Sequence, residues 1–510
     1  MLEGLWKEIG SGSDIRGVAD NSLNGENITL NNDIVEKIAL AFVQWLSKKV
    51  KLDYSSLAIA VGHDSRNSAS RIKNVFINSL RSTGVKVYDC SLASTPAMFM
   101  AISVLSCTAA VEITASHQPA NRNGFKFFML NGGLSEIDIK EILEIAQNGN
   151  FPNLREKANV RIVNLMDYYC EKLRNLIKDG IKNSENKDAP LKGLKIVVDA
   201  GNGVGGFFVK NVLNPLGAIT KGSRYLEPDG RFPNHIPNPE EKEAIQSIVE
   251  ATLQEKADLG IVFDTDVDRA AIVDCSGKAL DKNRLVALAS HIALEHEPSS
   301  VIVTDSMTSN NLKNFIENLG GTQFRYKRGY SNVISMAKMI NLKGENCSLA
   351  IETSGHAAFK ENDFIDDGAY LACKIIVEAV NLRNEGKTIL DDIKNLVDAK
   401  EEFSVKIPIK AVKREDIQVI GSEILESFKK YVECAKNLFL EKDNVEGVRV
   451  NIKSKQEKGW LILRKSLHDP VIVFYAESYN TGGIKLMMNM LKPFFKKAHN
   501  LDLSNIKTYL

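Results

Sequence analysis

The sequence lacks any apolar run long enough to cross a bilayer, and its opening residues, MLEGLWKEIG, lack the basic and apolar segments of a secretory signal. It also lacks an excess of either charge, since 65 basic against 64 acidic residues leave a formal net charge of +1. Such a balance provides no basic surface for nucleic acid or for an anionic membrane. We therefore expect neither a nucleic acid partner nor a membrane partner.

Cysteine is scarce, and its spacing excludes a disulfide scaffold. The seven cysteines form no C-x-x-C pair and show no recurring partner spacing. An odd number of dispersed thiols suits a reducing compartment, so we expect a cytoplasmic protein. The chain is otherwise ordinary in composition, with 44% hydrophobic and 25% charged residues, and its 510 residues are too many for one core.

What the sequence does contain is a repeated alternation of apolar, β-branched runs with amphipathic segments. The runs LAIAVGHD, LKIVVDAGNG, ADLGIVFDTD, SSVIVTDS and CSLAIETSGH each read as a buried strand that ends in a polar loop. Amphipathic segments such as RIKNVFINSLRSTG, FFVKNVLNPLG and TSNNLKNFIENLGG read as the intervening helices. This alternation predicts an α/β fold with ligands at the carboxyl ends of the strands.

Three successive segments share this alternation, and a smaller α+β segment follows them near residue 400. We therefore predict three similar α/β domains and a C-terminal α+β domain. The predicted bounds are 1–160, 161–279, 280–397 and 398–510.

The segment GIVFDTDVDRAAIVD carries the most specific chemistry. Asp264, Asp266 and Asp268 alternate directly after a buried strand, with Arg269 beside them. Three carboxylates this close repel one another, and a divalent cation would compensate the repulsion. Hard oxygen ligands favour Mg²⁺, so the spacing predicts a magnesium site.

A second interpretation of the same segment stays open. An apolar run followed by DTDV also resembles the first motif of haloacid dehalogenase-type phosphatases. Asp264 would then be the nucleophile and Asp266 the acid-base. The position of the motif halfway along the chain disfavours this alternative, because that family places it near the start of its domain.

Two further polar loops follow predicted strands. AIETSGHAAF offers Glu352, Ser354 and His356, and a carboxylate with a hydroxyl suits recognition of vicinal sugar hydroxyls.

The loop in GWLILRKSLHDPVIVFYAE contains Arg464, Ser466 and His468. Arginine, a hydroxyl and free backbone N–H groups form a phosphate-binding loop.

The segment VEITASHQPANRNGFKFFML raises a separate question, because Ser116 lies in its polar loop without a Ser-His-Asp relay. A serine hydroxyl needs activation to act as a nucleophile.

Together these loops resemble the α-D-phosphohexomutase family, which includes phosphoglucomutases and phosphomannomutases. SDIRG, TASHQPANRNGFK, FDTDVDR, ETSGH and RKSLHDP occur in the order in which that family carries its functional loops. The resemblance implies three α/β domains with mixed sheets and a smaller C-terminal domain around a central active-site cleft. It also implies that Ser116 carries a phosphoryl group.

The remaining catalytic roles follow from the same resemblance. Mg²⁺ would be held by the three aspartates and by phosphorylated Ser116. His117 and Arg269 would lie beside the metal and the phosphoserine, and Arg16 would face the active site. Lys126 is similar to the family's proposed general acid-base. Lys327, Arg328 and Tyr330, in YKRGYSNV, lie where the family distinguishes sugars.

The implied activity interconverts hexose 1-phosphate and hexose 6-phosphate, of glucose, mannose or both, through a 1,6-bisphosphate intermediate. Glucose 1,6-bisphosphate would be the activator and a hexose phosphate the substrate. Leu467 and His468 depart from the family's phosphate loop, so a non-catalytic sugar-phosphate-binding relative is the third hypothesis, beside the phosphatase.

Overall fold

The computed structural model describes residues 2–21, 23, 25–151, 157–182, 186–410, 416–442, 444–455, 458–466 and 470–509. These residues form two compact units. The first unit consists of Met1–Ala293 and Leu349–Ile393, and the second of Leu294–Ser348 and Lys394–Leu510. Within the described ranges, none of the helices combines the length and the hydropathy that a bilayer crossing requires.

The first α/β segment of the first unit is built on a mixed sheet. Its helices are α1 (Gly4–Glu8), α2 (Asn32–Val50), α3 (Ala69–Arg81), α4 (Thr95–Val104) and α5 (Glu136–Asn148). Its strands are β1 (Gly10–Ser11), β2 (Asp14–Val18), β3 (Ala58–His63), β4 (Lys86–Leu92), β5 (Ala109–Ile113), β6 (Arg122–Met129), β7 (Gly132–Gly133) and β8 (Val160–Ile162).

Its strand order is β1-β2-β6-β5-β3-β4-β8, and β7 pairs with β6. The strands β5, β3, β4 and β8 run parallel, whereas β6, β2 and β1 pair antiparallel. The central strands are almost continuously apolar because helices cover both faces of a parallel sheet. The carboxyl end of β5 and the start of β6 therefore meet at one edge, where the loop with Ser116 lies.

The second α/β segment has helices α6 (Leu165–Gly180) and α7 (Lys242–Glu255), and strands β9 (Ile196–Asp199), β10 (Leu259–Phe263), β11 (Ala270–Asp274) and β12 (Ala279–Leu280). The sheet order is β12-β11-β10-β9, with β9 and β10 parallel. Because Phe263 pairs with Ala270 in the antiparallel β10–β11 register, the residues between them form a tight loop at the strand ends.

The third α/β segment contains α8 (Lys282–His296), β13 (Val301–Asp305), α9 (Asn310–Asn318), β14 (Thr322–Tyr326), α10 (Tyr330–Leu342), β15 (Cys347–Ile351), β16 (Ala357–Phe359), α11 (Gly368–Asn384) and α12 (Ile389–Asp392). The division between the two units runs through this segment. In the second unit β13 pairs with β14 in parallel. In the first unit, residues 349–351 of β15 pair with β16 in the antiparallel direction.

The C-terminal segment, in the second unit, has a sheet of its own. Its elements are β17 (Glu401–Pro408), α13 (Asp416–Cys434), β18 (Leu438–Leu440), β19 (Val448–Lys453), β20 (Lys458–Lys465), β21 (Val471–Ser478) and α14 (Gly483–Lys497). The five strands are antiparallel in the order β17-β21-β20-β19-β18. The helices α13 and α14 meet at Phe428 and Phe494, whose ring centroids are 4.8 Å apart.

Short helical turns complete the chain. They are Tyr54–Ser56, Phe208–Leu213, Asn214–Leu216, Lys360–Asn362 and Ser504–Tyr509. The helix predicted for FFVKNVLNPLG forms as a wide π turn followed by a tight 3₁₀ turn.

The predicted fold class, three α/β segments with mixed sheets followed by a smaller α+β segment, is confirmed by the element order and the four separate sheets. The domain bounds near 160, 279 and 397 remain predictions.

Candidate active site

The site is built around Ser116, which follows β5 in a buried loop. Its relative exposure is 2%. Its backbone N–H donates to Thr114 Oγ1 at 2.8 Å, and its φ of +50° places it in the left-handed region that non-glycine residues seldom occupy. A strained backbone held by its neighbours is typical of functional positions. The hydroxyl is therefore presented in one fixed orientation.

Arg66, shortly after β3, fixes the backbone of this loop by hydrogen bonds to its carbonyls. Its Nη1 donates to the carbonyls of Pro119 at 2.6 Å and Arg122 at 2.9 Å. Its Nη2 donates to the carbonyls of Gln118 and Ser116, and its Nε donates to Asp64 Oδ2 at 3.1 Å. One buried guanidinium thus satisfies four loop carbonyls while its charge is balanced by a carboxylate.

The hydroxyl of Ser116 faces groups from the second α/β segment. Ser116 Oγ donates to Asp264 Oδ2 at 3.1 Å, and Arg269 Nη2 donates to Ser116 Oγ at 3.2 Å. His117 Nδ1 lies 3.3 Å from the same oxygen. A carboxylate and a guanidinium therefore both contact the hydroxyl of Ser116. The guanidinium is placed to bind an anionic group carried by that oxygen.

The loop between β10 and β11 holds three buried carboxylates. Asp264, Asp266 and Asp268 each offer one oxygen, and these oxygens lie within 4.8 Å of one another. Asp266 Oδ1 and Asp268 Oδ1 are buried and have no hydrogen-bond partner among the described residues. Buried polar atoms are almost always satisfied, so these two oxygens fit the ligands of a divalent cation. Val267, at a φ of +66°, turns the loop between them.

The carboxylates differ in their proton affinities. Burial, followed by the charges of Asp268 and Asp266, raises the pKa of Asp264 well above its usual range. At Asp268 burial is outweighed by Lys126, His356 and Arg269, so its pKa is lowered. The cations around the loop therefore keep Asp268 ionised in the interior.

Lys126, on β6, is one of those cations and is itself buried. Its Nζ donates to Asp266 Oδ2 at 2.8 Å and also to Asp268 Oδ2. Thr95, the first residue of α4, donates its hydroxyl to Asp266 Oδ2 at 2.6 Å. The first α/β segment thus contributes two donors to the acidic loop of the second.

Arg269 binds the acidic loop and keeps His117 neutral. Its Nε donates to Asp264 Oδ2 at 3.2 Å, and its Nη2 donates to His117 Nδ1. The adjacent Arg269 charge, together with burial and Arg16, lowers the pKa of His117 strongly. A neutral His117 accepts at Nδ1 and keeps its proton on Nε2.

Arg16, on β2, lies beside the loop that carries Ser116. Its Nη2 donates to Asp14 Oδ2 at 2.7 Å and its Nη1 donates to the Ala115 carbonyl at 3.4 Å. The pairing of Arg16 with Gly124 in the β2–β6 register places it there.

The predicted sugar-binding loop after β15 lies against the acidic loop. Glu352 and Ser354 are buried, and Ser354 Oγ donates to Glu352 Oε2 at 3.4 Å. His356 Nδ1 lies 2.6 Å from Asp366 Oδ2 and 3.8 Å from Asp268 Oδ1. Burial disfavours its charged form, but these two carboxylates outweigh it and raise the pKa of His356 to about 9. His356 is therefore cationic at neutral pH.

Other predicted residues lie in the second unit. Lys327 and Arg328 occupy the turn between β14 and α10, and Tyr330 is the first residue of α10. The Arg328 N–H donates to Glu446 Oε2 at 3.1 Å. Arg464 is the penultimate residue of β20, and its Nη1 lies 3.8 Å from Glu446 Oε1.

The phosphate loop is described only in part. The Ser466 N–H donates to the Val471 carbonyl at 3.0 Å, whereas Leu467 and His468 lie outside the described residues.

The structure brings together Ser116, His117, Lys126, Arg269 and Arg16 with the three aspartates and the sugar loop. It also shows contributors that the sequence interpretation did not assign: Arg66, Thr95 and Asp366. The motif Asp-x-Arg, which starts at the last residue of LAIAVGHD, was a usable signal for Arg66. No comparable signal marks Thr95, because its contact depends on the packing of α4.

Comparison with known families agrees with this geometry. Three successive family models match the chain, described as phosphoglucomutase/phosphomannomutase alpha/beta/alpha domain I over residues 9–153, domain II over 167–277 and domain III over 281–398. Together the matched residues make up well over half of the chain.

Whole-chain relatives show the same similarity. A phosphomannomutase/phosphoglucomutase of Pseudomonas syringae pv. tomato is 29% identical over 499 residues, which cover 96% of each chain. A phosphoglucomutase/phosphomannomutase family protein of Burkholderia thailandensis superposes with a TM-score of 0.78 at 23% identity, covering 98% of each chain. A variant of the Aspergillus fumigatus N-acetylphosphoglucosamine mutase, solved with glucose 1,6-bisphosphate, has a TM-score of 0.55 at 14% identity, covering 98% of this chain and 96% of that one.

Proposed function

The chain belongs to the phosphoglucomutase/phosphomannomutase family of phosphohexomutases, and we propose that it interconverts hexose 1-phosphate and hexose 6-phosphate through phosphorylated Ser116. The observation that carries this mechanism is the meeting of Asp264 Oδ2 and Arg269 Nη2 at Ser116 Oγ, at 3.1 and 3.2 Å. Glucose 1,6-bisphosphate, the ligand of a fold relative, is the proposed intermediate and activator.

Each transfer exchanges one bond to phosphorus for another. The bond from phosphorus to Ser116 Oγ breaks while a bond to the free sugar hydroxyl forms, giving the 1,6-bisphosphate. Ser116 Oγ gains a proton and the sugar hydroxyl loses one. We assign both transfers to Lys126 Nζ, whose ammonium gives its proton to Ser116 Oγ and takes the proton of the hydroxyl in its place. In the second transfer the other phosphoryl group returns to Ser116 and the proton moves back. Such a reaction depends mainly on positioning and on cationic stabilisation.

The acidic loop fits Mg²⁺. Asp264, Asp266 and Asp268, with an oxygen of phosphorylated Ser116, would hold the ion, and the two unsatisfied Oδ1 atoms support this assignment. When bound, Mg²⁺ supplies charge neutralisation at the phosphoryl oxygens.

Two residues of the chain act directly on the phosphoryl group. Arg269 donates toward Ser116 Oγ and stabilises the negative charge that spreads over the equatorial oxygens. Neutral His117 directs its Nε2–H away from Arg269 and can donate to a phosphoryl oxygen. Arg16 adds a second cation at the loop carbonyl of Ala115.

The remaining residues would hold the substrate. We assign Glu352, Ser354 and cationic His356 to the sugar hydroxyls. Lys327, Arg328 and Tyr330 would distinguish one sugar from another. We assign the distal phosphate to a loop with the members Arg464, Ser466 and His468.

The location of the protein is a related proposal. All seven cysteines are free thiols, which suits the reducing cytoplasm.

A coupled assay tests this function. It would follow formation of glucose 6-phosphate from glucose 1-phosphate with Mg²⁺ and catalytic glucose 1,6-bisphosphate, with mannose 1-phosphate in parallel. Turnover by the wild type should fall by more than about 10³-fold in Ser116→Ala. Ser79→Ala, which removes a buried hydroxyl from α3, is the matched control and should keep its activity.

The alternatives predict different outcomes. Release of inorganic phosphate that survives Ser116→Ala but is abolished by Asp264→Asn would assign the chemistry to a phosphatase. Binding of hexose phosphates without interconversion, even when the bisphosphate is supplied, would identify a non-catalytic relative.

A further inference from the structure

The second unit contains a cavity of about 430 Å³ between the β14 side of the third α/β segment and the sheet of the C-terminal segment. Among the described residues, none of those predicted for the mutase site lines it. Its volume lies in the range of small-molecule pockets.

The described lining is strongly cationic. Lys313, Arg325, Lys442 and Arg449 contribute four positive charges, and Glu441 contributes one negative charge. Glu441 Oε2 is 3.9 Å from Arg325 Nη1 and also 3.9 Å from Arg449 Nε. These separations exceed hydrogen-bond lengths, so one carboxylate faces two guanidiniums as ion pairs without hydrogen bonds.

The two arginines are held in place by the protein itself. Arg449, 2% exposed, stacks on Trp460 with its guanidinium carbon 3.5 Å from the ring centroid. It donates to the carbonyls of Ser306 and Thr308, each at 2.8 Å.

Arg325 is fixed in a similar way. It donates to the Ser309 carbonyl at 3.0 Å and to Asn310 Oδ1 at 2.9 Å. The Nε atoms of Arg325 and Arg449 are buried and donate no hydrogen bond to the described residues. Burial and then the charge of Arg325 lower the pKa of Arg449, against the opposing charges of Glu441 and Glu477. Two guanidiniums fixed before a ligand arrives are pre-organised for a polyvalent anion.

The rest of the lining combines aromatic and aliphatic side chains with the polar residues Ser306, Gln323 and Asn444. Phe324 and Tyr326 project from β14, with ring centroids 6.3 Å apart, and Val445 adds an aliphatic surface. We propose that this cavity is a second ligand site, distinct from the mutase centre, that binds an organic phosphomonoester. The carbon skeleton lies against Phe324 and Tyr326. The phosphate contacts the cationic lining residues, which are Lys313, Arg325, Lys442 and Arg449.

Phenyl phosphate tests the site, because it is a phosphomonoester that is not a hexose phosphate. Calorimetric titration would use the full chain carrying Arg464→Ala, which impairs the phosphate loop of the proposed function. We expect saturable binding of one equivalent. The double variant Lys313→Gln/Lys442→Gln should raise the dissociation constant about tenfold, because it removes two charge-assisted contacts.

Lys429→Gln/Lys496→Gln makes the same charge change on α13 and α14 and should leave the dissociation constant within about twofold. Phe324→Ala separates the two parts of the site, since it should weaken phenyl phosphate and leave inorganic phosphate unaffected. Thermal melts of each variant check that it is folded. Absence of saturable binding, or equal affinity in the lysine double variant and its control, overturns the proposal.

The mutase assay distinguishes this site from the catalytic one. With an intact Arg464, Lys313→Gln/Lys442→Gln should retain kcat/KM for glucose 1-phosphate within about twofold. A parallel fall of kcat/KM and phenyl phosphate affinity would place the cavity in the catalytic site and contradict a separate role. A wild type that binds phenyl phosphate but does not interconvert hexose phosphates would refute the proposed function alone.

Discussion

At the scale of single residues, the site depends on one arginine as much as on the serine it presents. Arg66 donates to four carbonyls of the loop that carries Ser116. A planar guanidinium with five fixed donors can do this, whereas an ammonium group has three donors and no fork. Arg66 is therefore a positioning residue, which acts through the loop and not on the substrate.

We expect Arg66→Lys to lower kcat/KM by about 10²-fold, because a displacement of the loop near 1 Å misaligns the phosphoryl group. The unfolding free energy should fall by about 3 kcal/mol, since buried carbonyls lose their donors. Both quantities are accessible from steady-state kinetics and urea denaturation.

Arg71→Lys is the control for this variant. Arg71, on α3, also donates to two backbone carbonyls, those of Ala19 and Leu30, but away from Ser116. It should lose stability with little change in kcat/KM. Equal kinetic losses in the two variants would contradict a positioning role for Arg66.

At the scale of elements, the close approach of the β2 and β6 backbones determines where Arg16 and Lys126 lie. A Cβ on Gly124 would sit 2.1 Å from the Ile15 carbonyl and 2.9 Å from the Thr114 carbonyl. The pairing of β2 with β6 therefore requires glycine at this position, and that pairing carries both Arg16 and Lys126.

Gly124→Ala should destabilise the protein by more than about 2 kcal/mol, because the clashing atoms are backbone and cannot move away as a side chain would. Thermal denaturation measures the loss. Gly133→Ala, at the end of β7, is the matched control: its Cβ would approach no heavy atom closer than 3.9 Å, and its stability should stay within about 0.5 kcal/mol of wild type.

At the same scale, the carboxylate of Asp199 at the end of β9 contacts both the segment before α7 and α7 itself. His235 Nε2 lies 3.0 Å from Asp199 Oδ1, and Ser247 Oγ donates to Asp199 Oδ2 at 2.6 Å. Burial alone would lower the pKa of His235, but the hydrogen bond and charge of Asp199 outweigh it, and that pKa is raised.

The folded state therefore binds this proton more tightly than the unfolded chain, whose imidazole pKa is about 6.5. The stabilising contribution is complete below about pH 6.5 and is lost as pH rises through the raised folded value. Urea denaturation between about pH 5.5 and pH 8.5 should show the wild type losing stability with rising pH relative to His235→Gln. A constant difference between the two proteins across this range would refute the ion pair.

At the scale of the whole molecule, the chain forms two compact units, and the three aspartates belong to the first. A ligand that binds only the native state stabilises the unit that holds it. Two units of this size need not unfold together.

We expect calorimetry to show more than one transition, with Mg²⁺ raising the midpoint of only one. At ten times its dissociation constant the ion should add about 1.4 kcal/mol to that unit, and EDTA should reverse the shift. In Asp266→Asn the shift should be lost. A Mg²⁺ effect that survives this substitution would place the cation elsewhere.

The fold was predictable where local pattern decides it. Runs such as AIAV in β3 and IVF in β10 are buried strands in the structure as predicted, because parallel strands covered on both faces are continuously apolar. The clustering of the three carboxylates was also predictable, because they lie within five residues directly after a strand.

Other features of the site were not predictable from local sequence. Thr95 reaches Asp266, 171 positions further along the chain, and nothing near Thr95 marks that contact. The hydroxyl of Ser116 meets Asp264 across 148 positions. Such contacts depend on how sheets and helices pack, which local periodicity does not encode.

The sequence by itself determined the order of strands and helices, the cluster of three aspartates and the family, because these depend on residue type at fixed spacing. Only the tertiary structure decided that Arg66 binds the Ser116 loop and that His117 is neutral and His356 charged. It also decided that a cationic cavity forms whose lining includes none of the described residues that were predicted for the site. Proton affinity and cavity shape arise from burial and from charges brought close in space, and these distances exist only after the chain has folded.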